Sequence, residues 1–350
     1  MTDLLKQLCA LPGVSSYEDA VRAYLQAQAA PYADSMRVDA MGNLIVHKRG
    51  VRPTGNKLML CTHMDEVGLM VRSVTEEGYL KFVCVGDIDR RVLLGKQVHI
   101  GEAQVPGVVG LKAIHLTTAE QRKKVPKLED YYLDIGADSR EAAENLVELG
   151  DPCVFVSDGM EFGDGLLKAK ALDSRAGCAV LLELLCRDLP MDVTFVFTVQ
   201  EKVGARGAFG AGFSVTPEIA LVVDGIDAED TPDQDPHTQT SHLGKGPVLT
   251  WMDGGTIFDR PLFETMRSQA KSHHISWQMN HYVGGSSDAE SIQRAKSGVR
   301  VARLSAPVRC LHTPGTVANL RDVEQVSQLA WLFIQAVAQE NQEKESKAWT

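Results

Sequence analysis

The chain has 350 residues, 44% hydrophobic and 23% charged, the composition of an ordinary soluble globular protein. Its 46 acidic and 36 basic residues leave a net charge of -10, which argues against nucleic acid, whose phosphates select basic surfaces, and against an anionic membrane. At this length one large domain with a smaller companion is expected. The N-terminus carries Asp3 and no apolar core, so it does not read as a signal peptide, and no run approaches the roughly 18 apolar residues of a membrane span. Seven cysteines, an odd number without a CxxC pair, read as free thiols in a reducing compartment; a cytoplasmic location is expected.

Residues 17–30, YEDAVRAYLQAQAA, have helical spacing of apolar positions behind Ser15 and Ser16. VDAMGNLIVHKRG then reads as two strands turning at Met41-Gly42-Asn43, and KLMLCT at 57–62 reads as a strand covered on both faces. Between Val67 and Asp164 short strand-like runs alternate with turns, which predicts a small β-barrel or sandwich. Asp138 and Glu141 within it have the spacing of a capping box ahead of AAENLVEL. After Asp164 helices and strands alternate: a helix over 175–187, strands over 193–199, 219–224 and 300–304, and an amphipathic helix over 322–340 before a polar, frayed tail. The expected architecture is an α/β domain with a mixed sheet, formed by 1–66 and 165–350 and interrupted by a small β-barrel-like domain at 67–164.

Polar residues follow the apolar strands at Thr62-His63-Met64-Asp65-Glu66, Gln200-Glu201, Val223-Asp224 and Leu311-His312, and Asp173 opens a helix. In an open α/β sheet ligands bind beyond the carboxyl ends of the strands, so these distant segments would meet in one crevice. Imidazole nitrogen and carboxylate oxygen are donors that zinc, cobalt and manganese accept. Taken singly, each residue has a plainer reading: a strand-end His is usually packed or at the surface, Asp173 would cap its helix, and Asp224 would begin a turn. Only the joint arrangement points to a metal centre. His115 reads as structural or interfacial, His273-His274 as a surface pair, and Arg122-Lys123-Lys124 as a solvated loop. There is no Gly-x-Ser-x-Gly elbow for a serine hydrolase, and a glycosidase carboxylate pair would leave the histidines without a task.

The landmarks CTHMDEVGLMV, ALDSRAGCAVLLELL, VFTVQEKVGARGA, LVVDG, GGSSDAESI and LHTPGTVANLRDVE together resemble the glutamyl aminopeptidase family, which includes the tetrahedral self-compartmentalising aminopeptidases. The resemblance runs nearly end to end. It implies a mixed-sheet metallopeptidase domain with an inserted β-domain used in dimer formation, and a homo-oligomer, either a dimer or a dodecamer. It also implies peptide substrates and two divalent metals, zinc or cobalt with manganese as a third choice. By the motif match His63 and Asp224 would bind one metal, Asp173 would bridge both, His312 would bind the second, Glu201 would be the general base, and Asp65 would orient His63. Gly284-Gly285-Ser286-Ser287-Asp288 matches a family segment near the site.

The chain departs from the family at Lys202, where the family has a second Glu that ligates the second metal. An ammonium has three donors and no acceptor, so it cannot copy that role. Three readings follow: one metal instead of two, with Lys202 supplying part of the missing charge; a neighbouring carboxylate or water completing the site; or a catalytically impaired scaffold that binds peptides. A plainer alternative has Lys202 pointing to solvent, with the Glu201-Lys202 pair displaced by one in the match.

Overall fold

The computed structural model describes residues 1–55, 57–232 and 241–348. Strand Leu58–His63 is buried along its whole length, as its apolar run requires. It lies parallel to Val193–Thr198 on one side and Ile219–Asp227 on the other, and the latter is parallel to Arg300–Arg309. These four strands form the middle of an 11-stranded mixed sheet whose outer pairings are antiparallel, as in the hairpin of Ser35–Val38 with Leu44–Lys48, except for the short parallel pair of Val248–Leu249 with Gln278–Met279. Parallel strands need both faces covered. Helices Leu172–Leu185 and Leu320–Ala348 pack one face, with Leu181, Leu184, Phe195, Phe197 and Phe333 in a common core. Helices Arg206–Val215 and Asp288–Gln293 cover the other face, around Met59, Ala208, Ile292 and Val301.

Six antiparallel strands between Gly68 and Phe155 close into a barrel with its own core, which includes Leu69, Leu80, Phe82, Val98, Ile100 and Leu133. Strand Gln97–Ile100 alternates exposed and buried residues, the period-two pattern of a sheet with one dry face. Strand Met160–Phe162 already pairs within the large sheet. The mixed α/β sheet and the barrel agree with the expected fold class.

Two local expectations are corrected. Ser139, not Asp138, caps helix Arg140–Glu144, because its hydroxyl accepts from Ala142 N. The final helix does not fray at 340 but continues to Ala348 through a tail without Gly or Pro; Trp349 and Thr350 lie outside the described residues. All seven cysteines are free thiols, and no helix among the described residues is long and apolar enough to cross a membrane.

Candidate active site

The C-terminal edge of the parallel strands brings the distant segments together. His63 ends its strand, Glu201 and Lys202 follow Val193–Thr198, Asp224 lies within Ile219–Asp227, and His312 follows Arg300–Arg309. Asp173 sits where helix Leu172–Leu185 begins, with backbone angles that are not helical. It does not serve as the helix cap. Its Oδ1 accepts from Gly225 N at 2.9 Å. A Cβ at Gly225 would come within 2.7 Å of the Asp173 Cβ, so only glycine allows this approach. All of these residues line one crevice of about 350 Å³.

His63 Nε2 is 3.2 Å from Asp173 Oδ1 and 3.8 Å from Glu201 Oε2. Its other nitrogen, Nδ1, faces Asp65, at 3.1 Å from the backbone carbonyl and 3.4 Å from Oδ1. A carboxylate behind the imidazole fixes the ring and leaves Nε2 facing the crevice. Asp65 has a further task that the sequence did not reveal. It accepts from the backbone N–H of both Glu201 and Lys202 at 3.0 Å, and from Ser15 Oγ at 2.5 Å. Glu18 accepts from Gln200 N, and Asn43 Oδ1 from Val199 N, so four successive amides from 199 to 202 are held by side chains. Gln200 itself adopts φ 57°, a left-handed conformation that a non-glycine residue keeps only where its surroundings impose it.

Lys202 does not point to solvent. Its Nζ lies 2.5 Å from Asp173 Oδ2 and 2.9 Å from Glu201 Oε2, and its side chain is 7% exposed. Asp224 is matched in a similar way by a residue the sequence reading missed. Arg303 Nε stands 2.8 and 3.1 Å from the two Asp224 oxygens, and Ser305 Oγ donates to Oδ1 at 2.6 Å. Asp224 pairs with Ser305 in the parallel register, and Arg303, two residues earlier, shares the same face. An arginine within the otherwise buried run VARLSAPV was the available signal.

These contacts set the charges. Burial works against ionisation of Asp173, yet Lys202 and then His63 hold it well below the usual carboxylate range. Burial and Lys202 push the His63 imidazole down, but Asp173 and Glu201 outweigh them and leave it raised. Asp224 is raised by burial, with Arg303 opposing. His312 is lowered by burial and then by Lys202.

Asp288 is a second residue the sequence did not single out for chemistry. It is 1% exposed, accepts from Thr198 Oγ1, and is pushed up to about 7 by burial and then by Glu201. Between its ordinary value of 3.8 and about 7 the folded chain keeps a proton that the unfolded chain releases. Its contribution to stability is therefore fully present below 3.8 and is lost as pH rises through about 7. Asp288→Asn, which stays neutral, is expected to match the wild type in urea midpoint at about pH 4 and to exceed it at pH 8. Equal midpoints at both pH values would rule out this assignment.

The surface readings of His273-His274 and of Arg122-Lys123-Lys124 hold. His115 is exposed in a turn of the barrel, His273 and His274 are exposed at a helix end, and Lys123 pairs with Glu120 at the surface. Gly284, Gly285 and Ser286 line the crevice.

The donor types are those of one divalent ion: the His63 nitrogen, backed by Asp65, lies 3.2 Å from Asp173, and the Asp224 carboxylate lines the same crevice. It does not suit two. An ammonium stands on Asp173 and Glu201 where a further acceptor would be needed, and ammonium offers none. Among the described residues no three His, Cys, Asp or Glu side chains are gathered around a single point, and Asp224 is turned onto Arg303.

A strand-edge crevice of His and carboxylates on a mixed sheet, with an inserted barrel, defines a metallopeptidase type of architecture. Residues 42–329 match the M42 glutamyl aminopeptidase family. The TET aminopeptidase from a marine-sediment Thaumarchaeota archaeon superimposes with TM-score 0.91 at 34% identity, over 95% of each chain. The dodecamer PhTET1-12s gives TM-score 0.85 at 33% identity, covering 95% of this chain and 98% of that one. The lysyl aminopeptidase of Pyrococcus furiosus is 31% identical over 94% of this chain and 95% of its own. The chain belongs to the M42 glutamyl aminopeptidase family. By homology it is an aminopeptidase, and membership implies peptide substrates and dependence on a divalent metal.

Proposed function

We propose that this chain hydrolyses the first peptide bond of peptides with a free N-terminus, using Glu201 as general base. The observation that carries this reading is the grouping of Glu201, His63 and Asp173 within 3.8 Å contacts at the carboxyl edge of the sheet, inside one crevice. His63, Asp173 and Asp224 would hold one divalent ion, zinc or cobalt, with manganese also suited to the donors. When bound, that ion supplies an acidified water and a polarised carbonyl.

The chain's own residues supply the rest. Glu201 takes a proton from the attacking water as the C–O bond forms, and returns it to the leaving nitrogen as the C–N bond breaks. Asp65 positions both His63 and the 201–202 backbone. Asp87, Asp227 and Glu229 also line the crevice, a negative field that favours the α-ammonium of a substrate. His312 forms part of the wall beside Lys202.

Aminoacyl-p-nitroanilides with added zinc, cobalt or manganese provide the test. The expected result is release of nitroaniline that a chelator stops and returned metal restores. A specific observation favours a second reading, a peptide-binding chain with impaired catalysis: Lys202 and Arg303 stand on the very carboxylates that a metal would use. Peptide binding without turnover under any of these metals would select it.

The barrel carries the exposed apolar residues Val108, Ile114, Leu116 and Val125, which supports a role for it in a cytoplasmic homo-oligomer, a dimer or a dodecamer. A monomer mass in sedimentation would contradict that role.

A further inference from the structure

The crevice contains its own cations. Asp173, Glu201 and Asp224 contribute three carboxylates, and Lys202 and Arg303 answer them from buried positions. We infer that Lys202 fills the place of a second divalent ion, making this a one-ion centre. The inference rests on the metal site assigned above.

Charge and geometry both support it. Lys202 answers both Asp173 and Glu201, and Arg303 is shared between Asp224 and Asp253, so each buried cation already serves two carboxylates. A second ion would set two more positive charges beside the Lys202 ammonium, which offers it no acceptor, and like charges held close together repel. A Glu at 202 would remove one positive charge and add one negative, so that two ions could then be accommodated.

Lys202 is also built into its position. Asp65 holds its backbone N–H, its side chain is 7% exposed, and its Nζ touches one carboxylate from the helix Leu172–Leu185 segment and one from its own loop. Its Cβ stands beside Gly86 at the end of a barrel strand, where an added Cβ would come within 3.2 Å of it. Arg303 holds Asp224 by both oxygens, supplying the second protein cation on a residue of another strand.

The test is the number of ions bound by the full chain. The protein is stripped with a chelator and equilibrated with zinc or cobalt, and metal per chain is measured by mass spectrometry of the elements and by calorimetric titration. The wild type is expected to saturate at about one ion per chain, and Lys202→Glu at about two. Saturation of the wild type at two ions, or at none, overturns the inference. So does a folded Lys202→Glu variant that gains no ion. The count does not depend on turnover: a chain that binds one ion and cleaves nothing would defeat the aminopeptidase reading and leave this one intact.

Discussion

Glu201→Gln is expected to lower kcat by roughly 10²- to 10⁴-fold while leaving KM and folding nearly unchanged. Glutamine fills the same space and can still accept from Lys202, which now lies 2.9 Å from Glu201 Oε2, so the buried cation keeps a partner. What glutamine cannot do is hold the proton taken from water and hand it on to the leaving amine. The split between kcat and KM separates this role from a binding role, since lost binding would raise KM. Steady-state kinetics on an aminoacyl-p-nitroanilide, with circular dichroism as the folding check, measures it. Retained kcat would remove Glu201 from the reaction.

Arg175→Ala is expected to cost about 3–5 kcal/mol of stability, the loss typical of breaking a buried charged network. Arg175 is fully buried. It donates to Met64 O at 2.8 Å and to Leu8 O at 2.5 Å, and lies 3.5 Å from Glu66, which also pairs with Lys170 at 2.5 Å. Alanine would remove the guanidinium from the Met64 and Leu8 carbonyls, leaving Leu8 O only its bond from Leu11 N, and open a cavity between the first helix and the segment following His63. Because Met64 is the next residue after His63, the variant is also expected to loosen the imidazole. Arg175→Met, which keeps most of the volume, separates packing from charge and is expected to cost less. Urea midpoints for both variants provide the measurement. A midpoint unchanged in Arg175→Ala would mean that the network contributes little to stability.

Much of the site could be read in the sequence because its residues follow apolar strands directly. His63, Glu201 and Asp224 each come at or just after a run that packs on both faces, so the strand pattern itself places them at the sheet edge. The barrel was visible for a related reason, since a closed antiparallel sheet needs short alternating strands and frequent turns. Arg303 was hidden because its partner is set by strand register: nothing in VARLSAPV tells that Ser305 stands opposite Asp224. Asp288 was hidden in a glycine-rich segment whose depth depends on how helix Asp288–Gln293 packs. Helix Arg206–Val215 was missed because GAFGAGF is poor in helix formers. Its glycines serve packing instead, since a Cβ at Gly207 would strike Asn43 Oδ1 at 2.3 Å and Val199 O at 2.5 Å. Lys202 was conspicuous in the sequence, but its meaning depended on where the ammonium lies, and it lies between two carboxylates.

The most direct measurement is mass spectrometry of an unblocked peptide of about ten residues incubated with the metal-loaded wild-type chain, beside the same peptide N-acetylated. The expected result is a ladder of products shortened one residue at a time from the N-terminus, and an acetylated peptide left whole. Internal cleavage, equal cleavage of the blocked peptide, or no cleavage with any of the three metals would contradict it.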